Sequence, residues 1–113
     1  MTESKISRTH VLYSPGYGAG WTTWNSSIPK PAREMMLRHA GLIAAINAGD
    51  RPTVEHPAVV EFLADMDAMG VAAEELYLGG LRDIATYPTT SRVRVDEYDG
   101  NESVTEEGED EWL

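Results

Sequence analysis

The sequence predicts an α+β fold, in which a small antiparallel sheet of about four or five strands carries two helices packed on one face. Between residues 31 and 70, apolar residues recur at three- and four-residue spacing, as in helices, whereas from residue 75 they alternate, as in strands. The length of 113 residues suits one domain. We expect a polar lead at residues 1–8, a single domain at residues 9–105 and a flexible acidic tail at residues 106–113.

The first half of the chain predicts one strand and both helices. Residues 9–13 form a short β-prone run that ends at Ser14-Pro15. The first helix is expected over residues 31–48, because Pro31 suits the first helical position and residues 49–52 supply a stop signal. The second helix is expected to open at Pro57 and to end at Gly70.

The second half predicts strands at residues 75–78, 83–87 and 92–98. Asp99-Gly100 is a strong signal for a two-residue hairpin loop, because both central positions need positive φ. Residues 101–105 should therefore pair back antiparallel onto the preceding strand.

That hairpin has a defined register, in which Tyr98 faces Asn101, Glu97 faces Glu102, Asp96 faces Ser103 and Val95 faces Val104. Facing glutamates repel each other by a few tenths of a kcal/mol. The simplest expectation is that both lie past the edge of the core and splay into water. The alternatives are a bound cation, or a basic side chain from a partner or from Arg82.

Charge and composition exclude several classes of function. The formal net charge is −10, and residues 96–113 hold nine acidic residues and no basic one. Such a surface repels phosphates, so direct nucleic-acid or anionic-membrane binding is not expected. The chain has no cysteine, no apolar run long enough to span a bilayer and no signal-peptide pattern near its start. We therefore expect a soluble, cytoplasmic protein.

Residues 14–25, called here the glycine loop, contain three glycines and three aromatic residues. Their spacing matches neither the dinucleotide fingerprint nor the phosphate loop of nucleotide hydrolases. Three interpretations remain open: the loop plugs its own domain, forms an aromatic lip for a small molecule, or binds a protein. The ligand-binding candidates are Gly16, Tyr17, Gly18, Gly20, Trp21, Thr22, Thr23, Trp24 and Asn25.

Catalytic and metal-binding patterns are sparse. Ser14 and His10 lie close in sequence but lack the sharp turn that exposes a nucleophilic serine. His39 and His56 lack the spacing of a metal-binding pair. We therefore predict a non-enzymatic protein without metal or cofactor, and expect the histidines at the surface or the edge of the core.

The end of the chain is too acidic to fold alone, although Trp112-Leu113 closes it with an apolar pair. It is expected to be solvated, to fold back onto the domain, or to insert into a basic-rimmed pocket of a partner. The partner-binding candidates of hairpin and tail are Glu97, Asp99, Glu102, Glu106, Glu107, Glu109, Asp110, Glu111 and Trp112.

Three motifs carry a resemblance to a family: LYSPGYGAGWTTWN at residues 12–25, YLGG at residues 77–80 and EYDGNE at residues 97–102. Together they resemble a group of small uncharacterised proteins encoded by bacteriophages. The resemblance implies expression in the cytoplasm of an infected bacterium, where small acidic phage proteins often bind and disable a host factor. It implies no functional residue, and the polar lead departs from the pattern.

Two function classes follow. The first is a protein that binds a basic surface of a host protein through the acidic hairpin and tail, as an inhibitor or accessory factor. The second is a module that sequesters a nucleotide-like or other small molecule on the glycine loop.

Overall fold

The computed structural model describes residues 6–16 and 18–107 and confirms the α+β class. The helices are α1 (Lys30–Arg38), α2 (Ala40–Asn47) and α3 (Pro57–Ala68), and the strands are β1 (His10–Tyr13), β2 (Ala85–Pro88), β3 (Val93–Tyr98) and β4 (Asn101–Glu106). Short 3₁₀ turns lie at Thr23–Asn25, Ala73–Glu75 and Gly79–Asp83.

The strands form two sheets rather than one sheet of four or five strands. β1 pairs with β2, and β3 pairs with β4, both antiparallel. The sheets meet where the Glu102 N–H donates to the Ser14 carbonyl at 2.7 Å, and the Ser14 N–H donates to the Glu102 carboxylate at 2.9 Å. Because a side chain takes the second of these bonds, the backbone ladder does not continue from β4 to β1.

The hairpin prediction is confirmed. β3 and β4 pair in the expected register, with Val95 opposite Val104 and Glu97 opposite Glu102. Asp99 and Gly100 have φ values of 57° and 86°, as a two-residue loop with both residues in the left-handed region requires. Pairing extends to Glu106, one residue beyond the expected end of the strand.

The strand expected at residues 75–78 is wrong, because this segment runs between two 3₁₀ turns. At Tyr77 the backbone groups bond to a side chain instead of a neighbouring strand. The Tyr77 N–H donates to Asn25 Oδ1 at 2.8 Å, and Asn25 Nδ2 donates to the Tyr77 carbonyl at 3.0 Å. One asparagine thereby occupies both the donor and the acceptor that a sheet would use at Tyr77.

The single helix expected over residues 31–48 is also wrong, because it breaks at His39, whose φ of −61° and ψ of 117° are extended. The His39 ring caps α2 by accepting from the Leu42 N–H at 3.2 Å, and its Nε2 lies 2.8 Å from the Asp65 carboxylate. The Ser7 N–H donates to the Arg38 carbonyl at 2.7 Å, and Ile6 packs against the core. Contacts with the domain therefore begin ahead of residue 9.

The core lies between the helices and β1. Trp21, Met36 and Phe62 are fully buried in it, and the Trp21 and Phe62 ring centroids are 5.5 Å apart. The Trp21 indole donates to the Met36 carbonyl at 2.6 Å, which satisfies an acceptor in the last turn of α1 that has no partner within that helix. Among the described residues, no helix has both the length and the apolar character needed to cross a membrane.

Candidate functional site

The glycine loop, the Tyr77 segment and the tip of the β3–β4 hairpin are far apart in sequence and lie against one another in the fold. The Gly18 N–H donates to the Asp99 carbonyl at 2.8 Å, and the Asn101 side chain donates to the Pro15 carbonyl. A Cβ on Gly100 would stand 2.3 Å from the Ala19 nitrogen. The hairpin tip therefore rests directly on loop backbone, at a distance that only glycine permits.

The Glu102 carboxylate is the centre of this junction. Its side chain is buried, with 2% of its surface exposed. It accepts hydrogen bonds from the N–H groups of Ser14 at 2.9 Å, Trp21 at 2.6 Å and Thr23 at 3.1 Å, and from the Thr23 hydroxyl at 2.6 Å. The expectation that Glu102 splays into water is therefore wrong. Donors of the glycine loop surround the carboxylate instead of water.

The contacts of Glu102 bear on whether the backbone of the glycine loop could bind a phosphate. Backbone N–H groups converging on one point are typical of anion sites. Here a carboxylate of the same chain occupies that point and takes the N–H groups that an external anion would need. Glu102 of the β3–β4 hairpin thus fills the position that an anion would take on the glycine loop.

Burial removes several candidates from any binding surface. Trp21 is fully buried and Asn25 is 4% exposed, so both belong to the interior, as does Glu102. Gly20 is also buried, and a Cβ there would meet the Thr23 hydroxyl and the Trp24 ring. For these residues the first interpretation of the loop, that it plugs its own domain, agrees with the structure.

Trp24, Tyr77 and Glu97 form the outward-facing part of the junction, called here the aromatic–acid patch. The Trp24 and Tyr77 rings pack against each other, tilted by 38° with centroids 5.2 Å apart, and the residues are 39% and 48% exposed. The Trp24 indole donates to the Glu97 carboxylate at 3.0 Å, and the Gly100 N–H donates to it at 2.7 Å. Hydrogen bonds from Trp24 and Gly100 lower the pKa of Glu97, so its charge is held beside two exposed rings.

The other candidates are dispersed. Gly16, Gly18, Thr22 and Thr23 lie along the loop, and Asp99 lies exposed at the hairpin tip. The Glu106 charge raises the pKa of Tyr87, whose hydroxyl lies 3.3 Å from that carboxylate, while Glu107 contacts Arg94 at 3.3 Å. Tyr17, Glu109, Asp110, Glu111 and Trp112 lie outside the described residues.

The groups that catalysis would use have structural partners. The Ser14 hydroxyl is buried and donates to the Ala19 carbonyl at 2.9 Å. His10 contacts the Thr9 hydroxyl, and His56 contacts Asp50 at 3.0 Å. Within residues 6–16 and 18–107, no group of three or more His, Asp or Glu side chains is placed to hold a metal ion.

Sequence reasoning missed the contact of the Tyr77 ring with Trp24, and it missed the contacts that bury Glu102. Both contacts join segments more than fifty residues apart, which local spacing does not reveal. The available signal was the coincidence of the three motifs at residues 12–25, 77–80 and 97–102, which are the segments that meet here.

No protein-family model, curated protein or solved structure matches the chain.

Proposed function

We propose that this chain is a non-enzymatic interaction protein that binds a basic surface of a host protein through its acidic hairpin and tail. The aromatic–acid patch is the observation that carries this proposal. Trp24 and Tyr77 offer exposed aromatic faces, and Glu97 supplies a carboxylate held next to them. A Lys or Arg side chain would gain a cation–π contact from the rings and an ion pair from the carboxylate.

The surrounding charge supports the same class of partner. Asp96 and Asp99 lie exposed on the hairpin near Glu97, and Tyr98 is 76% exposed. Most acidic residues of the second half lie in the hairpin and tail. Acidic surfaces speed association with basic partners and discriminate against acidic ones. Aromatic residues supply the larger share of binding energy at such interfaces.

The resemblance to small phage proteins supplies the biological setting of the proposal. A basic surface on a bacterial protein is commonly a surface that binds nucleic acid. An acidic protein that covers such a surface would act as an inhibitor or accessory factor. The chain would then work in the cytoplasm of the infected cell and would need no cofactor.

The test is an affinity pull-down from bacterial lysate with the full chain, a chain ending at Glu107, and the variants Tyr77→Ala and Glu97→Gln. Truncation after Glu107 spares β4 and the bond from the Glu107 N–H to the Arg92 carbonyl, which a cut after Thr105 would remove. Val60→Ala is the matched control, because Val60 is 56% exposed on α3, a helix that contributes no residue to the patch.

We expect a basic bacterial protein to be retained, and each patch variant to weaken its binding by about tenfold. We expect the truncation to weaken it as well, and added salt to weaken it steeply. Unchanged affinity in Tyr77→Ala and Glu97→Gln, with folding intact, would contradict a role for the patch. An acidic or salt-insensitive partner would contradict the class of partner.

A further inference from the structure

A groove of about 390 Å³ lies between residues 22–26, one face of α1 and strand β3. Two cationic side chains, three hydroxyl side chains, one carboxylate and two apolar side chains line it: Lys30, Arg33, Thr22, Thr23, Ser26, Glu34, Leu37 and Val95. It is distinct from the aromatic–acid patch, although Thr22 and Thr23 immediately precede Trp24.

Lys30 and Arg33 are the two cations of this groove. Among the residues that the structure describes, no carboxylate is in ion-pair contact with Lys30 or Arg33. The Arg33 Nε is buried and has no hydrogen-bond partner in that part of the chain. A buried guanidinium nitrogen left in this state costs free energy, which a hydrogen-bond acceptor reaching Arg33 would offset.

The acidic groups nearby are already engaged. Glu34 lies 3.2 Å from Arg38, a buried guanidinium whose pKa desolvation lowers to about 10 and which therefore stays charged at neutral pH. Glu102 lies behind Thr23 and is hydrogen-bonded to the loop donors. Among the described residues, the lining charges without an ion-pair partner are those of Lys30 and Arg33, and both are positive although the whole chain is strongly acidic.

The lining indicates the chemistry of the ligand. A guanidinium, an ammonium and the Thr22 and Ser26 hydroxyls can donate from several directions, which suits the oxygens of a phosphate group. Leu37 and Val95 add apolar wall, and the volume is within the range of small-molecule sites. We propose that this groove binds a small organic phosphate, with Arg33 and Lys30 holding the phosphate and the apolar wall covering its organic part.

This proposal stands apart from partner binding, because it uses other residues and the opposite charge. It also places the small-molecule site in the groove beside α1 rather than on the glycine amides of the loop. The glycine amides belong to Glu102, so the ligand uses side chains of residues 22–33 instead.

The test titrates phenyl phosphate into ¹⁵N-labelled protein and follows the backbone N–H signals of Thr22 and Ser26 and the side-chain signals of Arg33. We expect saturable shifts confined to these residues and their neighbours. Arg33→Gln and Lys30→Gln should each weaken binding by about tenfold or more. Arg51→Gln is the matched control, because exposed Arg51 lines a different groove together with Asp50 and Asp83.

Two further ligands sharpen the result. Inorganic phosphate should shift the same signals but bind more weakly, since it lacks the organic part. Benzoate binding as tightly as phenyl phosphate would overturn the phosphate assignment. No saturable shift with phenyl phosphate, or equal affinity in the Lys30→Gln variant, would overturn the site itself. Because Lys30 is exposed, its variant should fold even if the Arg33 variant does not.

Discussion

Glu97 and Glu102 face each other across the β3–β4 hairpin, yet their environments are opposite. Glu102 is buried and accepts from the backbone of three residues of the glycine loop. Glu97 stays at the surface and accepts from one indole and one backbone N–H. The same residue type at paired positions therefore joins distant segments in one case and stays at the surface in the other. The strand pattern does not decide this difference. The difference depends on which distant groups lie next to each carboxylate.

The largest expected effect comes from substituting Glu102, the buried residue of this pair. Glu102→Gln keeps the size of the side chain but removes its charge and places an amide group against N–H donors. Donors left buried without an acceptor are costly, so we expect the free energy of unfolding to fall by about 4 kcal/mol. Urea denaturation measures this loss. Glu97→Gln is the matched control and should lower stability far less. Equal losses in the two variants would contradict the division of roles.

The next effect concerns the contact between hairpin tip and glycine loop. Gly100 and Gly70 have nearly the same positive φ, 86° and 88°. A Cβ on Gly100 would stand 2.3 Å from the Ala19 nitrogen, whereas a Cβ on Gly70 would meet nothing within 4 Å. Gly70→Ala should cost about 1 kcal/mol from its backbone conformation alone. Gly100→Ala should cost about 2 kcal/mol more, because the tip must also move off the loop.

Thermal and urea unfolding of these two alanine variants separates backbone strain from the steric contact. If Gly100→Ala costs no more than Gly70→Ala, the hairpin tip does not rest on the loop as tightly as the structure indicates. A larger loss in Gly100→Ala, accompanied by shifts in the Gly18 and Ala19 N–H signals, would support the contact.

The sequence predicts the local parts of this site well. Asp99-Gly100 determines both the turn and the register, because few residues tolerate positive φ at two successive positions. The helix starts at Pro31 and Pro57 are similarly local and lie within a residue of the observed ones. The α+β class follows from the change in apolar period, which reports on each element separately.

The remaining features depend on contacts between distant segments. The helix breaks at His39 because its ring caps α2 and contacts Asp65 on α3, and nothing in the local apolar pattern signals this. Residues 75–78 have a strand-like pattern, but the Asn25 side chain takes the backbone groups of Tyr77. Glu102 is similar, since an acidic residue in an acidic stretch is expected at the surface. Asn25 and Glu102 each satisfy backbone groups of distant segments, and His39 joins the start of α2 to a side chain on α3.

The smallest expected effect concerns the titration of Glu97, the exposed residue of the pair. Hydrogen bonds from Trp24 and Gly100 lower the pKa of Glu97 below its ordinary value of 4.5. The charged form is thus favoured in the folded chain, so its stabilising contribution is present above that ordinary value and is lost as pH falls through the folded-state pKa. The Trp24 indole N–H signal should therefore shift in that acidic range, and Glu97→Gln should abolish the shift. A Trp24 signal that moves equally in both proteins would show that another group controls it. A Trp24 signal that stays constant in the wild-type protein would show that Glu97 does not hold the indole, and the aromatic–acid patch would then lack its fixed charge.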